Sequence, residues 1–178
     1  MASNDPVQDV LMVLLPGSYA DELISELERH GVDVRTSDGL FKLLNGIADG
    51  GVPDVVHLHF LHGFFVVESR LLTVLLGIKL VAELCVLRVL GAPVVWTVHN
   101  LTEHENRHPR LEYAIRHVVS RLCDRVIVHC DRAGDIITDT YRLPSRTQDR
   151  IRTVPHGNYK GVYPDEVSDE QARAELNL

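Results

Sequence analysis

Six histidines fall where apolar, strand-like runs give way to polar segments: His57, His59, His62, His99, His129 and His156. Imidazole is the side chain most readily tuned for proton transfer near neutral pH. Gathered at strand ends, these rings point to acid–base or hydrogen-bonding chemistry on one rim of a sheet, where open α/β sheets bind ligands. His99 is the sharpest case. It ends the run VVWTVHN, Val94 to Asn100, and the polar loop LTEHENRHP follows. An imidazole beside Glu103 and Glu105 has the tuning and the reach of a general base acting on a hydroxyl. His99 is therefore the candidate catalytic residue, with capping of strand backbone groups as the plain alternative. Asn100 and His104 are candidate substrate contacts; His104, Arg107 and His108 equally suit a solvated loop.

His57-Leu58-His59 sets two imidazoles on one face of a strand, because strand side chains alternate. The spacing also suits metal ligation, but no third and fourth ligand stand at a set distance along the chain. A polar cleft wall is the favoured reading, with His59 and His62 as substrate contacts and no metal site. A metal-dependent hydrolase built on His57 and His59 is the alternative. His129, beside Asp131, reads as a rim residue or as a core or helix-cap residue. His156 and Gly157 follow Pro155 and join the candidate substrate wall, since glycine permits a positive φ or a close backbone approach to a ligand. The turn Pro16-Gly17-Ser18-Tyr19 opens a helix, whose N–H groups suit an anionic or hydroxylated ligand. Gly17, Ser18 and Tyr19 are candidates on that ground; an ordinary strand-to-helix turn is the alternative. The chain has no GxGxxG, GxxxxGK[ST] or GxSxG, which excludes a dinucleotide fingerprint, a P-loop and a nucleophile elbow.

The elements that must position these residues alternate. Val10–Leu15, Val32–Thr36, Asp54–Phe60, Pro93–Val98, Arg125–Cys130 and Ile151–Val154 read as buried strands. Helical spacing falls between them: a helix capped by Ser18 and stopped at Gly31, one over Leu40–Ile47 ended by Gly50-Gly51, Leu71–Leu90, Leu111–Leu122, and one capped by Asp131. In Leu111–Leu122 the inner face is expected to carry Leu111, Ala114, Ile115, Val118, Val119 and Leu122. Alternation of this kind predicts an α/β, Rossmann-like, doubly wound parallel sheet of about six strands with helices on both faces. Residues 1–157 form this domain. Residues 158–178 read as a connector and a helix with a capping box at Ser168 and Gln171, the opening of a second domain.

The 178 residues are 45% hydrophobic and 24% charged, with a net charge of −7 and no Lys/Arg-dense stripe, which argues against nucleic acid as a partner. Three cysteines without a CxxC pair, and no signal peptide, suit a cytoplasmic setting. Leu71–Leu90 is long enough to span a bilayer, but it carries Lys79, Glu83 and Arg88. It is read as a largely buried helix, with a peripheral contact at the cytoplasmic membrane face as the alternative.

The segments DVVHLHF (Asp54 to Phe60), VVWTVHN (Val94 to Asn100), DRVIVHC (Asp124 to Cys130) and VPHGNY (Val154 to Tyr159), followed by SDEQARAELNL (Ser168 to Leu178), occur in that order. Together they resemble the N-terminal domain of a GT-B-fold glycosyltransferase of the large retaining family 4, over nearly the whole chain. The resemblance implies transfer of a sugar from a nucleotide-diphosphate sugar to a saccharide or lipid-linked acceptor, without an obligatory metal or bound cofactor. It implies that this half binds the acceptor and that a separate C-terminal domain binds the donor. The position matching His99 would lie at the reaction centre. Two departures stand out: the family's Gly-Gly turn is Pro16-Gly17-Ser18-Tyr19 here, and its usual asparagine is His156. The chain alone is expected to be inactive, as a fragment, a truncated gene product or one half of a split enzyme; a non-catalytic binding remnant is the alternative.

Overall fold

In the computed structural model, residues 7–13, 17–105, 107–159, 162 and 167–178 are described. The expected strand residues Leu14 and Leu15, Pro16 of the first turn and most of the 160–166 connector lie outside them. The strands are β1 (Asp9–Val13), β2 (Asp33–Thr36), β3 (Val55–Leu58), β4 (Val94–Thr97), β5 (Arg125–Val128) and β6 (Ile151–Thr153). They form one sheet in the order β2-β1-β3-β4-β5-β6, and every pairing is parallel. The Rossmann-like expectation holds. From β1 the chain crosses to one edge, and from β3 it crosses to the other. The switch point therefore lies between β1 and β3, and the crevice for a ligand opens at their carboxyl ends.

The helices are α1 (Ser18–Arg29), α2 (Lys42–Gly50), α3 (His62–Phe65), α4 (Arg70–Leu90), α5 (Pro109–Leu122), α6 (Asp131–Thr140), α7 (Ser145–Gln148) and α8 (Asp169–Glu175). The core joins Leu11, Val56, Leu58, Val94, Trp96, Val126 and Val128 of the strands to Leu43, Leu80, Leu84, Leu87, Val119 and Ile137 of the helices. β1, β3, β4 and β5 are apolar because helices cover both faces. Gly46 in α2 shows how tight this packing is: a Cβ there would stand 2.6 Å from Leu11 Cδ1.

Two local expectations are corrected. Ser18 and Asp131 are first residues of their helices, not caps; the cap positions are Gly17 and Cys130. Asp131 instead accepts a hydrogen bond from the Thr153 hydroxyl at 2.6 Å, joining α6 to β6. The capping box at Ser168 and Gln171 is present. Gly17, at φ 147, makes the turn from β1 into α1 in a backbone region open mainly to glycine.

α4 and α5 differ more. α4 buries one face, Thr73, Gly77, Leu80, Glu83, Leu84 and Leu87. Its other face leaves Leu71, Leu75 and Ile78 exposed by 67, 51 and 62%. The helix is thus half-buried, because it lies along the sheet and meets it on one side only. Its charges tie it down: Lys79 pairs with Glu83 at 2.8 Å, and Arg88 donates to the Leu122 carbonyl at 3.1 Å. No described helix is long and apolar enough to cross a membrane. Of the expected apolar stripe, α5 buries Val119 and packs Ile115 and Leu122 half-buried against the core; its other buried residues are Glu112, Arg116 and Ser120. Leu111, Ala114, Ile115 and Val118 line a shallow groove shared with α4. A buried ion pair has taken the inward positions, and its partners lie at the functional rim.

Cys123 is buried and its thiol is pushed well above the usual range, chiefly by desolvation. Cys85 and Cys130 are exposed. Because the thiolate is the reactive form, iodoacetamide should modify Cys85 and Cys130 in the native protein and reach Cys123 only after unfolding. Mass spectrometry of the alkylated peptides reads this directly; native labelling of Cys123 would contradict it.

Candidate functional site

The carboxyl ends of β3, β4, β5 and β6 bring five imidazoles and two other aromatic rings together. His57 is on β3 and shares a 2.8 Å hydrogen bond through Nε2 with the Thr97 hydroxyl of β4. His59 follows β3, and its Nδ1 lies 3.1 Å from Nε2 of His99, which follows β4. Phe60 stacks on His99 with centroids 4.3 Å apart and planes within 13°. Its φ of 41° puts a bulky residue in the left-handed region, a conformation that clusters at functional sites. Tyr19 comes from α1 and sets its ring edge against His99, centroids 4.9 Å apart. His129, after β5, lies 5.1 Å from His99 and 4.9 Å from His156, centroid to centroid.

Part of this cluster borders a cavity of about 310 Å³, lined by Tyr19, Glu22, Glu26, His57, Thr97, His129, His156 and Tyr159 among others; His59, Phe60 and His99 pack against Tyr19 but are not in the cavity lining. That volume is at the lower end for small-molecule sites, and the lining mixes apolar surface with a few convergent polar groups. The sequence candidates Tyr19, His59, His99 and His156 are thus brought together. Gly17 and Ser18 begin α1 but do not line the cavity among the described residues. Gly157 does line it, and its carbonyl accepts from His156 Nδ1 at 2.6 Å. The positive φ offered as one reason for Gly157 is corrected: its φ is not positive.

His62, Asn100 and His104 form a separate group. Asn100 Nδ2 lies 3.5 Å from His104 Nε2. The Asn100 carbonyl accepts from the Arg116 guanidinium at 2.8 Å. Arg116 Nε also donates to Glu112 at 2.9 Å, and Glu112 accepts the Glu103 backbone N–H at 2.8 Å. The α5 ion pair therefore holds both ends of the loop after His99. His62 loses basicity mainly through burial and then through the Arg116 charge, which places it on this side of Phe60.

Burial decides the electrostatics of the ring cluster. It lowers His57 to about 4, with help from His99. It lowers His99 to about 4, with help from His129 and His156. It lowers His59 to about 2, with help from His57 and then His99 and His129. Tyr19 is raised to about 12 by burial and by Tyr159. At neutral pH His57, His59 and His99 are thus neutral hydrogen-bonding rings. His99, so depressed, is a weak base and a good hydrogen-bond partner for a hydroxyl.

Sequence reasoning missed Phe60, Thr97 and the Glu112–Arg116 pair. Glu112 and Arg116 did carry a signal, opposite charges four residues apart on a helix. That pattern usually marks a solvated face, so it pointed outward.

Solved structures with a similar fold include Anabaena HepE. Its complex with UDP and glucose matches at 12% identity with a TM-score of 0.50, covering 96% of this chain and 50% of that one. Its complex with UDP-glucose matches at 13% identity with a TM-score of 0.48, covering 95% and 50%. The chain thus spans about half the length of HepE. The N-terminal domain of a response regulator receiver protein from Methanoculleus marisnigri matches at 16% identity with a TM-score of 0.39, covering 78% of this chain and 97% of that one. A search of curated proteins gave no match. A family model described as Glycosyltransferase Family 4 matches residues 38–157, about two thirds of the chain, including β3, β4, β5, β6 and their histidines. The chain belongs to glycosyltransferase family 4.

Proposed function

We propose that this domain is the acceptor-side half of a glycosyltransferase that moves a sugar from a nucleotide-diphosphate sugar to a saccharide or lipid-linked acceptor. The observation that carries this reading is the cavity at the strand ends, bordered by the imidazoles of His57, His129 and His156 and the rings of Tyr19 and Tyr159. A sugar is an apolar ring face fringed with hydroxyls. Tyr19 and Tyr159 offer ring surface in the cavity, His129 and His156 offer ring nitrogens that bond hydroxyls, and His99 packs against Tyr19, His129 and His156. His99 sits centrally and acts at the reaction centre by hydrogen bonding. The donor is bound by a second domain, supplied in the same chain or by a separate one, and residues 158–178 lead into it. Transfer needs both walls of the cleft.

The hydrolase reading on His57 and His59 is weaker. His57 commits Nε2 to Thr97, and His59 commits Nδ1 to His99. Among the described residues the group able to share an ion does not include either ring.

The test uses the enzyme complete with its donor-binding domain. His99→Ala should lower kcat for sugar transfer by about 100-fold, the scale of one lost hydrogen bond at a reaction centre. The circular dichroism spectrum should not change. Wild-type turnover in His99→Ala would refute the role of His99. Saccharide binding by the wild type with no transfer from any nucleotide sugar would instead support a binding remnant.

A further inference from the structure

Three imidazoles on this rim have a relation that the glycosyltransferase reading does not use. One ring nitrogen from each of His99, His129 and His156 lies within 4.8 Å of the others. We propose that His99, His129 and His156 form a binding site for a borderline divalent cation such as Zn²⁺ or Co²⁺. The inference does not depend on the proposed sugar chemistry.

The tautomers suit this role. His129 Nδ1 lies 3.0 Å from the Val154 carbonyl, so it must carry the proton and donate. Its Nε2 keeps the lone pair, is buried and has no hydrogen-bond partner among the described residues. A buried unpartnered acceptor is costly, and a cation would satisfy it. His156 repeats the pattern: Nδ1 donates to the Gly157 carbonyl at 2.6 Å and Nε2 is left to ligate. An acceptor bonded to the far ring nitrogen, fixing the tautomer, is what metal-bound histidines ordinarily have. His59 lies behind His99 at 3.1 Å and can hold that ring in the same way.

The geometry needs a modest closure. A Zn–N bond of about 2.0–2.1 Å puts tetrahedral ligand atoms about 3.3 Å apart. The three nitrogens would each move inward by roughly an ångström or less. His156 is exposed and follows the last strand, so it has room to do so. Glu22 lines the same cavity and adds negative charge near the site, while Glu26 beside it is paired with Arg29. Three imidazoles leave the fourth position open, as in zinc sites that bind water or an anion. His99 and His129 come from neighbouring strand ends, and β6 delivers His156 beside them, so the sheet register sets the trio.

The experiment uses untagged protein freed of metal with EDTA and then titrated with Zn²⁺ or Co²⁺. One ion should bind per chain, and the cobalt form should show the visible absorption of a tetrahedral site. His156→Ala, an exposed substitution that should leave the fold intact, should weaken binding by about 100-fold, as should His129→Ala and His99→Ala. His30→Ala and His117→Ala, away from the rim, should bind as the wild type does. No saturable binding by the wild type would overturn the proposal. So would equal affinity in His156→Ala and His30→Ala. Thermal melts of each metal-free variant establish that a lost site is not a lost fold.

Discussion

Arg116→Ala is expected to cost about 3–5 kcal/mol of folding stability, the scale for breaking a buried ion pair from one side. Glu112 and Arg116 are 1 and 2% exposed. Arg116 meets Glu112 Oε1 through Nε at 2.9 Å and through its terminal nitrogen at 2.5 Å. Without the guanidinium, the Glu112 carboxylate stays buried without its countercharge, still accepting the Glu103 N–H, and the Asn100 carbonyl loses the Arg116 donor. Domains of this size are stable by about 5–15 kcal/mol, so the variant should unfold at markedly lower urea. Glu112→Leu combined with Arg116→Met should recover part of the loss, since apolar replacement removes both charges. It should not recover all of it, because Asn100 and Glu103 keep unpartnered backbone groups. Urea titrations of the wild type, Arg116→Ala and the double variant decide the matter. A loss below about 1 kcal/mol in Arg116→Ala would show that the pair is not the clamp described. The functional corollary is local: hydrogen exchange at Leu101–Glu105 should rise in Arg116→Ala more than exchange in β1.

Acid should destabilise the fold steeply between about pH 6.5 and about pH 4. The sign follows from the rim. In the unfolded chain a histidine takes up its proton near 6.5; in the folded chain His57 holds off until about 4, chiefly because it is buried. The unfolded state therefore binds more protons throughout that window, and stability falls as pH falls. It is complete above 6.5 and reaches its floor for His57 once pH passes below about 4. One pKa unit corresponds to 1.36 kcal/mol, so His57 alone accounts for about 3 kcal/mol. His99, also lowered to about 4, acts in the same direction. His57→Asn, which can still bond Thr97, should flatten the pH profile relative to wild type. Unfolding free energies measured at about pH 7.5 and about pH 4 with EDTA present provide the comparison. Identical slopes for wild type and His57→Asn would refute the assignment.

Much of the sheet was legible because a parallel strand covered on both faces is written as a continuous apolar run. Val94–Val98 and Val126–Val128 could scarcely be anything else. The positions of His57, His59, His99, His129 and His156 at strand ends followed from those runs. What did not follow were relations that depend on register and rotation. The approach of His129 to His156 exists because β5 and β6 pair Val128 with Thr153, and no local pattern encodes that pairing. The inward turn of α5 was equally hidden. Leu111, Ala114, Ile115 and Val118 make an orderly apolar stripe, yet Glu112 and Arg116 face inward because backbone groups of the His99 loop need partners there. The stacking of Phe60 on His99 depends on a positive φ that a phenylalanine rarely adopts, so nothing in DVVHLHF announces it.

The strand order has a consequence for how the rim comes into being. His57 and His59 arrive with β3, His99 with β4, His129 with β5 and His156 only with β6. Each parallel pairing closes a long crossover, the slow kind of step in folding. During synthesis the hydrophobic interior has most of its members before the last ring exists. The rim is thus assembled sequentially and completed by the carboxyl-terminal strand. It certifies a finished sheet, and any interruption before β6 would leave a packed body with an unfinished edge.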